Sequence, residues 1–248
     1  MRLVIALAVA ALISSFLSPD LGLNAASLAT YLGFAAALVV VLISFEVPAL
    51  LEHRRVTGEV GRLRVLPWAL IIAALFVLVS RLTALQPGYL WGVVLGVVFL
   101  RMNTAADEGR EQAAGALWTL TVAVLAWLAL GWLRGSAGTD GSFLAIATET
   151  ALAAIVVAGL EAVAFGLMPF RFMPGVAIYR WNRPIWALLF GASLFGFFHI
   201  LIGPSSGYLS DLSLQGWLAA LGVFAAFGAF TVLFWAWFRF RPVPAEAD

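Results

Sequence analysis

Apolar residues in this chain fall in long unbroken runs rather than at a helical or strand period. A membrane-crossing helix needs about 20 mostly apolar residues, range about 17–25. Eight runs meet or approach that length: 3–17, 27–50, 66–83, 87–100, 113–133, 144–168, 185–203 and 214–238. The first and fourth are short. The pattern predicts an all-α polytopic bundle of about eight membrane segments forming a single domain, 1–248. Segment 87–100 is expected either to cross or to enter as a re-entrant piece buried among the others. Segment 3–17 follows Met1-Arg2 as a signal peptide would, but residues 14–19 offer no small-x-small cleavage site, so it is expected to remain as an anchor.

Between the runs the connections are short and rich in Gly, Pro and Ser, as at 18–22, 85–88, 134–143 and 203–207. No loop is long enough for a soluble domain. The tail 242–248 is expected to be disordered. Gln86-Pro87-Gly88-Tyr89-Leu90 and Pro204-Ser205-Ser206-Gly207-Tyr208-Leu209 resemble each other four segments apart. That spacing preserves orientation, so halves 1–110 and 111–248 could be a parallel duplication.

Arginine sets the expected orientation, because cytoplasmic loops retain positive charge. With the N-terminus inside, the inner stretches hold Arg2; Arg54, Arg55, Arg62 and Arg64; Arg101 and Arg110; Arg171, Arg180 and Arg183; Arg239 and Arg241. These are twelve of the fourteen basic residues, and only Arg81 and Arg134 fall outside. Both termini are then cytoplasmic. Trp68, Trp118, Trp181, Trp186, Trp235 and Trp237 mark the inner interface, and Trp91, Trp132 and Trp217 the outer one, as aromatic belts do.

Composition sharpens this picture. The 248 residues are 63% apolar and 11% charged, against about 25% charged in a soluble domain. A net charge of +1 provides no field for nucleic acid. There is no cysteine, which removes disulfides and thiolate sites, and His53 and His199 are the whole imidazole supply. No metal and no cofactor is therefore expected. Lysine is absent while Ala, Gly, Val and Arg abound, the composition of a GC-rich bacterial genome. The expected location is a bacterial cytoplasmic (inner) membrane, with the lipid bilayer as the first partner.

Ionisable groups inside membrane segments are the default functional candidates, since burying charge in hydrocarbon is costly. They are Glu46, Arg81, Glu149, Glu161 and His199. Glu46 can reach the inner interface, and Arg81 can snorkel to the outer one. Glu161 has no polar neighbour along the chain and lies roughly 10–13 Å from its helix end at 1.5 Å per residue. A neutral, hydrogen-bonded carboxyl and a proton or ion site are both open readings. Glu149, His199 and Arg81 share one leaflet and could form an outer polar cluster.

Other residues read as packing or docking. Gly88, Gly92 and Gly96 form a GxxxGxxxG stripe that would let a neighbouring helix, or a second copy, approach closely. The stretch from Met168 to Pro184 is interrupted by prolines and mixes Arg with aromatics. Arg171, Arg180, Trp181 and Arg183 there suit a headgroup interface or a protein partner at the cytoplasmic loops.

The stretch from Ala192 to His199 resembles the Phe-x-x-x-His second motif of the CPBP family, the intramembrane metalloproteases related to CAAX prenyl proteases. Leu160-Glu161 and Gly166 resemble its Glu-Glu…Arg-Gly first motif, with Leu160 in place of one Glu and Phe165 in place of the Arg. No histidine follows His199 to supply the third motif. The resemblance covers 40–50 residues and implies a degenerate relative without the full ligand set. Phe165-Gly166-Leu167-Met168-Pro169 is also similar to the FGLLP motif of a group of actinobacterial membrane proteins, with Met168 departing, and implies no activity. The leading expectation is a non-enzymatic membrane module, an anchor, scaffold or subunit of a larger assembly. The alternatives are a proton- or ion-coupled transporter or channel, and a degenerate intramembrane hydrolase.

Overall fold

The computed structural model describes residues 2–18, 21–58, 62–65, 67–82, 95–98, 104–136, 141–170 and 173–202. Their order is α1 (Arg2–Ser15), α2 (Ala25–Thr57), β1 (Arg62–Val65), α3 (Pro67–Leu82), β2 (Leu95–Val98), α4 (Ala105–Ser136), α5 (Phe143–Gly166), α6 (Pro174–Trp181) and α7 (Arg183–Gly196), with a π-helical turn at Phe197–Ile202. The protein is a helical bundle. Among the described residues four helices are long and apolar enough to cross a membrane: Ala25–Val56, Ala106–Gly135, Phe143–Gly166 and Arg183–Leu201. They contain the runs expected at 27–50 and 113–133 and cover all but the last two residues of those expected at 144–168 and 185–203. Runs 3–17 and 66–83 are helices of 14 and 16 residues. Run 214–238, the tail 242–248 and both copies of the short repeat lie outside the described residues.

The helix ends follow local rules. Asn24 caps α2 by accepting from the Ser27 N–H at 2.8 Å. Gly58, with φ at 74°, closes the same helix by donating its N–H to the Arg54 carbonyl. A left-handed residue is needed there, and glycine adopts it without a Cβ penalty. Arg54 and Arg55 sit in that last turn, against the negative end of the helix dipole. Ser142 caps α5, and Asn182 both ends α6 and caps α7.

The centre of the bundle is the contact of α2, α4 and α5. From Ala154 to Ala164 nearly all of α5 is buried, on a core with Ala37, Ala123, Ala126 and Leu201. Small residues set the spacing. A Cβ on Gly33 would lie 2.7 Å from the Ala147 carbonyl oxygen, and one on Gly115 would lie 2.8 Å from that of Phe45. Backbone-to-backbone approach of this kind is the usual way membrane helices gain contact, because lipid tails offer no hydrophobic drive between helices. A second core joins Ala113, Ala116, Val163, Leu167, Ile178 and Leu189.

Two expectations change. The run at 87–100 was expected to cross as a short helix or to enter as a re-entrant piece; within it Leu95–Val98 is a strand paired antiparallel with Arg62–Val65, with Gly96 opposite Arg64. The β-branched residues Val97 and Val98 favour extended backbone, and β1 offers their strand a paired edge. Gly96 is thus on a strand rather than a helix stripe, and Gly88 and Gly92 lie outside the described residues. Helices α2 and α4 also run well past their apolar stretches. At 1.5 Å per residue, 33 and 32 residues span roughly 50 Å, against about 40–45 Å for a bilayer with its headgroups.

Candidate functional site

The polar machinery lies where the overlong ends of α2 and α4 meet. Helix α4 begins with a polar turn and then presents Glu111, Gly115, Thr119 and Ala123 at a spacing of four residues, a single face of a helix. That face is buried against α2. At the N-terminal end of that face Glu111 Oε1 lies 2.8 Å from His53 Nδ1, and both side chains are 1% exposed. One proton bridges the two atoms. Two turns along, Ser44 Oγ donates to Thr119 Oγ1 at 3.2 Å. The α2–α4 seam therefore carries two polar ties with the close Gly115–Phe45 contact between them.

Adjacent residues turn to the other side. Arg110 reaches Glu52 at 3.2 Å, and Arg55 approaches the same carboxylate at 4.0 Å. Glu52 and Arg55 line one end of a groove of about 590 Å³ between α2 and α4, and Arg110 reaches that end through its pair with Glu52. Val40, Ile43, Val47 and Leu51 line it from α2, Trp118 and Val122 from α4. The α2 residues follow a three- and four-residue spacing, so they form one stripe, and Arg55 continues it.

The residues singled out from the sequence are placed as follows. Glu161 is 2% exposed on the buried face of α5. Glu149 accepts from Arg134 Nε at 2.8 Å, which joins the end of α4 to the start of α5. That pair stands where an outer cluster with His199 and Arg81 was expected. His199 is exposed on the π-helical turn, with its ring stacked on Phe195 at 5.3 Å and 9°. Arg81 lies in the last turn of α3. Among the described residues no group of three or more His, Cys, Asp or Glu side chains could hold a metal.

In the proline-rich stretch, α6 folds back on the bundle. A Cβ on Gly175 would run into the Leu167 carbonyl oxygen, and Trp186 Nε1 donates to that same oxygen at 2.8 Å. Trp181, expected at a docking surface, packs inward with Ile178 and on Gly109 of α4. Arg183 lies over the Tyr179 ring at 5.1 Å, an intramolecular cation–π contact. Arg180 is exposed, and Arg171 lies outside the described residues.

His53 and Glu111 were not singled out from the sequence. Both fell beyond the apolar runs, in stretches that read as loops. The available signal was the four-residue spacing of Glu111, Gly115 and Thr119, which extends a helix face into the polar stretch. No family model, curated protein or solved structure matches the chain.

Proposed function

We propose that this chain is a non-enzymatic multi-pass module of a bacterial inner membrane, acting as an anchor, scaffold or subunit of a larger assembly. In this reading both termini and the loops at 51–65, 101–112 and 169–184 are cytoplasmic. The arginine distribution supports that orientation. The observation that carries the functional reading is the His53–Glu111 pair. Two ionisable groups, each 1% exposed, are spent on joining α2 to α4, so they serve the helix contact rather than a path for solute. A protein partner at the cytoplasmic loops, or self-association, completes the assembly.

Proton- or ion-coupled transport is the second reading. It is favoured by Glu161, which is buried inside a helix long enough to span the bilayer. Two experiments test the proposal. The chain has no native cysteine. In intact cells an impermeant thiol reagent is expected to label Gly207→Cys and to leave Thr57→Cys untouched; the reverse pattern overturns the orientation. In liposomes containing the purified chain and a trapped pH dye, an imposed potential is expected to drive no proton flux above empty vesicles. Flux that disappears in Glu161→Gln overturns the scaffold in favour of transport.

A further inference from the structure

We propose that the groove between α2 and α4 is a binding site for one anionic phospholipid of the cytoplasmic leaflet, with its phosphate at Arg55 and Arg110 and an acyl chain along the α2 stripe. The sidedness rests on the orientation proposed above; the ligand class rests on the groove itself.

The length fits. From Val40 to Leu51 is eleven residues, roughly 16 Å of helix, and one leaflet contributes about half of a hydrocarbon core of about 30 Å. The apolar stripe is thus as long as the acyl layer it would meet. Its shape is a groove rather than a flat helix face, because Gly115 draws α4 onto α2 at Phe45 while Trp118 stands out beside it. Trp118 is 56% exposed, so its ring forms a wall that a chain can lie against.

The charge is placed at the correct end. The stripe ends in Leu51 and Arg55, and Arg110 comes in from α4. Glu52 stands among them, so the local charge of the three groups is +1. Glu52 holds Arg110 at 3.2 Å, but Arg55 is only loosely engaged at 4.0 Å and 81% exposed. Arg55 is therefore the group free to meet a phosphate, and Arg54 adds a second positive charge in the same turn. Basic pockets between membrane helices on the cytoplasmic side bind anionic headgroups by this chemistry. A neutral zwitterionic lipid would fill the same groove but gain nothing from the extra positive charge. A peptide helix would need an acidic residue placed beyond a smooth apolar face about three turns long, and it would be thicker than a single acyl chain.

The full-length chain, purified in mild detergent, is titrated with phosphatidylglycerol or with phosphatidylcholine of the same acyl chains, and bound lipid is counted by native mass spectrometry. One phosphatidylglycerol is expected to be retained in preference to phosphatidylcholine. Arg55→Gln is expected to reduce that preference about fivefold, the weight of one basic residue near an anionic surface. Val47→Trp, which fills the groove, is expected to reduce retention of both lipids. Equal retention of the two lipids by wild type, or an unchanged preference in Arg55→Gln, overturns the site. A photoreactive group on Val47→Cys reads the occupant directly. Adducts on phospholipid are expected, whereas adducts on peptide, from this chain or a second copy, overturn the proposal. The membrane reading has its own readout: a chain extracted from membranes by alkaline carbonate would fail that reading, whatever the lipid titration gives.

Discussion

Removing one partner of the His53–Glu111 pair and then both separates a structural tie from a dispensable contact. Each side chain is 1% exposed, so neither can turn to water when its partner is lost. Truncating one member of a buried pair costs about 3–5 kcal/mol, mainly because the survivor is left buried and uncompensated. For a chain of this size 1 kcal/mol corresponds to roughly 2–4 °C in Tm. His53→Ala or Glu111→Ala is thus expected to lower Tm in detergent by roughly 6–20 °C. Glu111→Gln keeps the shape and can still bond the imidazole, so it is expected to lose only about 1 kcal/mol.

The double variant His53→Leu/Glu111→Leu removes both polar groups and leaves apolar side chains of similar size. Replacing a whole buried pair this way is commonly neutral or stabilising. Its Tm is expected well above that of either alanine variant. Intrinsic tryptophan fluorescence against temperature, on all four variants in one detergent, gives the comparison. A Tm for His53→Ala within 2 °C of wild type, or a double variant as unstable as the two single losses added together, would refute a sealed pair holding α2 to α4.

Two further outcomes follow from the packing. Gly175→Ala is expected to destabilise strongly, because its new Cβ would run into the Leu167 backbone and backbone cannot swing aside, whereas Gly131→Ala has open space and should gain up to about 1 kcal/mol of helix propensity; equal Tm values for the two variants would contradict the fold-back of α6. Glu161→Gln is expected to fold with wild-type Tm, while Glu161→Ala loses about 1–3 kcal/mol of hydrogen-bonded burial; a Gln variant as unstable as the Ala variant would mean that the carboxyl is held as a charge.

The spanning helices were legible because hydrocarbon leaves the backbone no partner but itself, so a long apolar run has one regular solution. What such runs cannot show is where a helix stops. The apolar stretch of α2 ends at Leu50, yet the helix continues to Thr57. Leu51–Thr57 is rich in charge and read as loop. It stays helical because it contributes His53 to a buried contact with α4 and closes on Gly58. The same holds at the start of α4, where Ala105–Gln112 is helical although polar. Reading charge in those stretches only as a sign of sidedness hid the pair. The segment at 87–100 was ambiguous for another reason: a short Val- and Gly-rich run suits a strand or a buried helix equally, and only a partner edge decides. Glu149 lies near the start of α5, but its partner Arg134 belongs to the preceding helix, and adjacency of helices is not written in a hydropathy pattern.

Consecutive residues at the α2–α4 junction have opposite roles, and helix geometry makes that unavoidable. One residue advances an α-helix by about 100°. Glu52 and His53 therefore face different directions from α2, as do Arg110 and Glu111 from α4. His53 and Glu111 turn inward and meet each other out of reach of solvent. Glu52 and Arg110 turn outward and meet at the end of the groove, with Arg55 one turn further on. The inner pair can bear only on how firmly the two helices are joined. In the outer group the Glu52–Arg110 contact also links the two helices, while exposed Arg55 bears on what lies against them. Substitutions at 53 and 111 should then move Tm and leave phosphatidylglycerol retention per folded molecule unchanged. Arg55→Gln should do the converse, since an exposed ion pair at 4.0 Å contributes at most about 1 kcal/mol to the fold. If Arg55→Gln lowered Tm as much as His53→Ala does, the outer arginine would be a member of the tie, and the two faces of the junction would be one site.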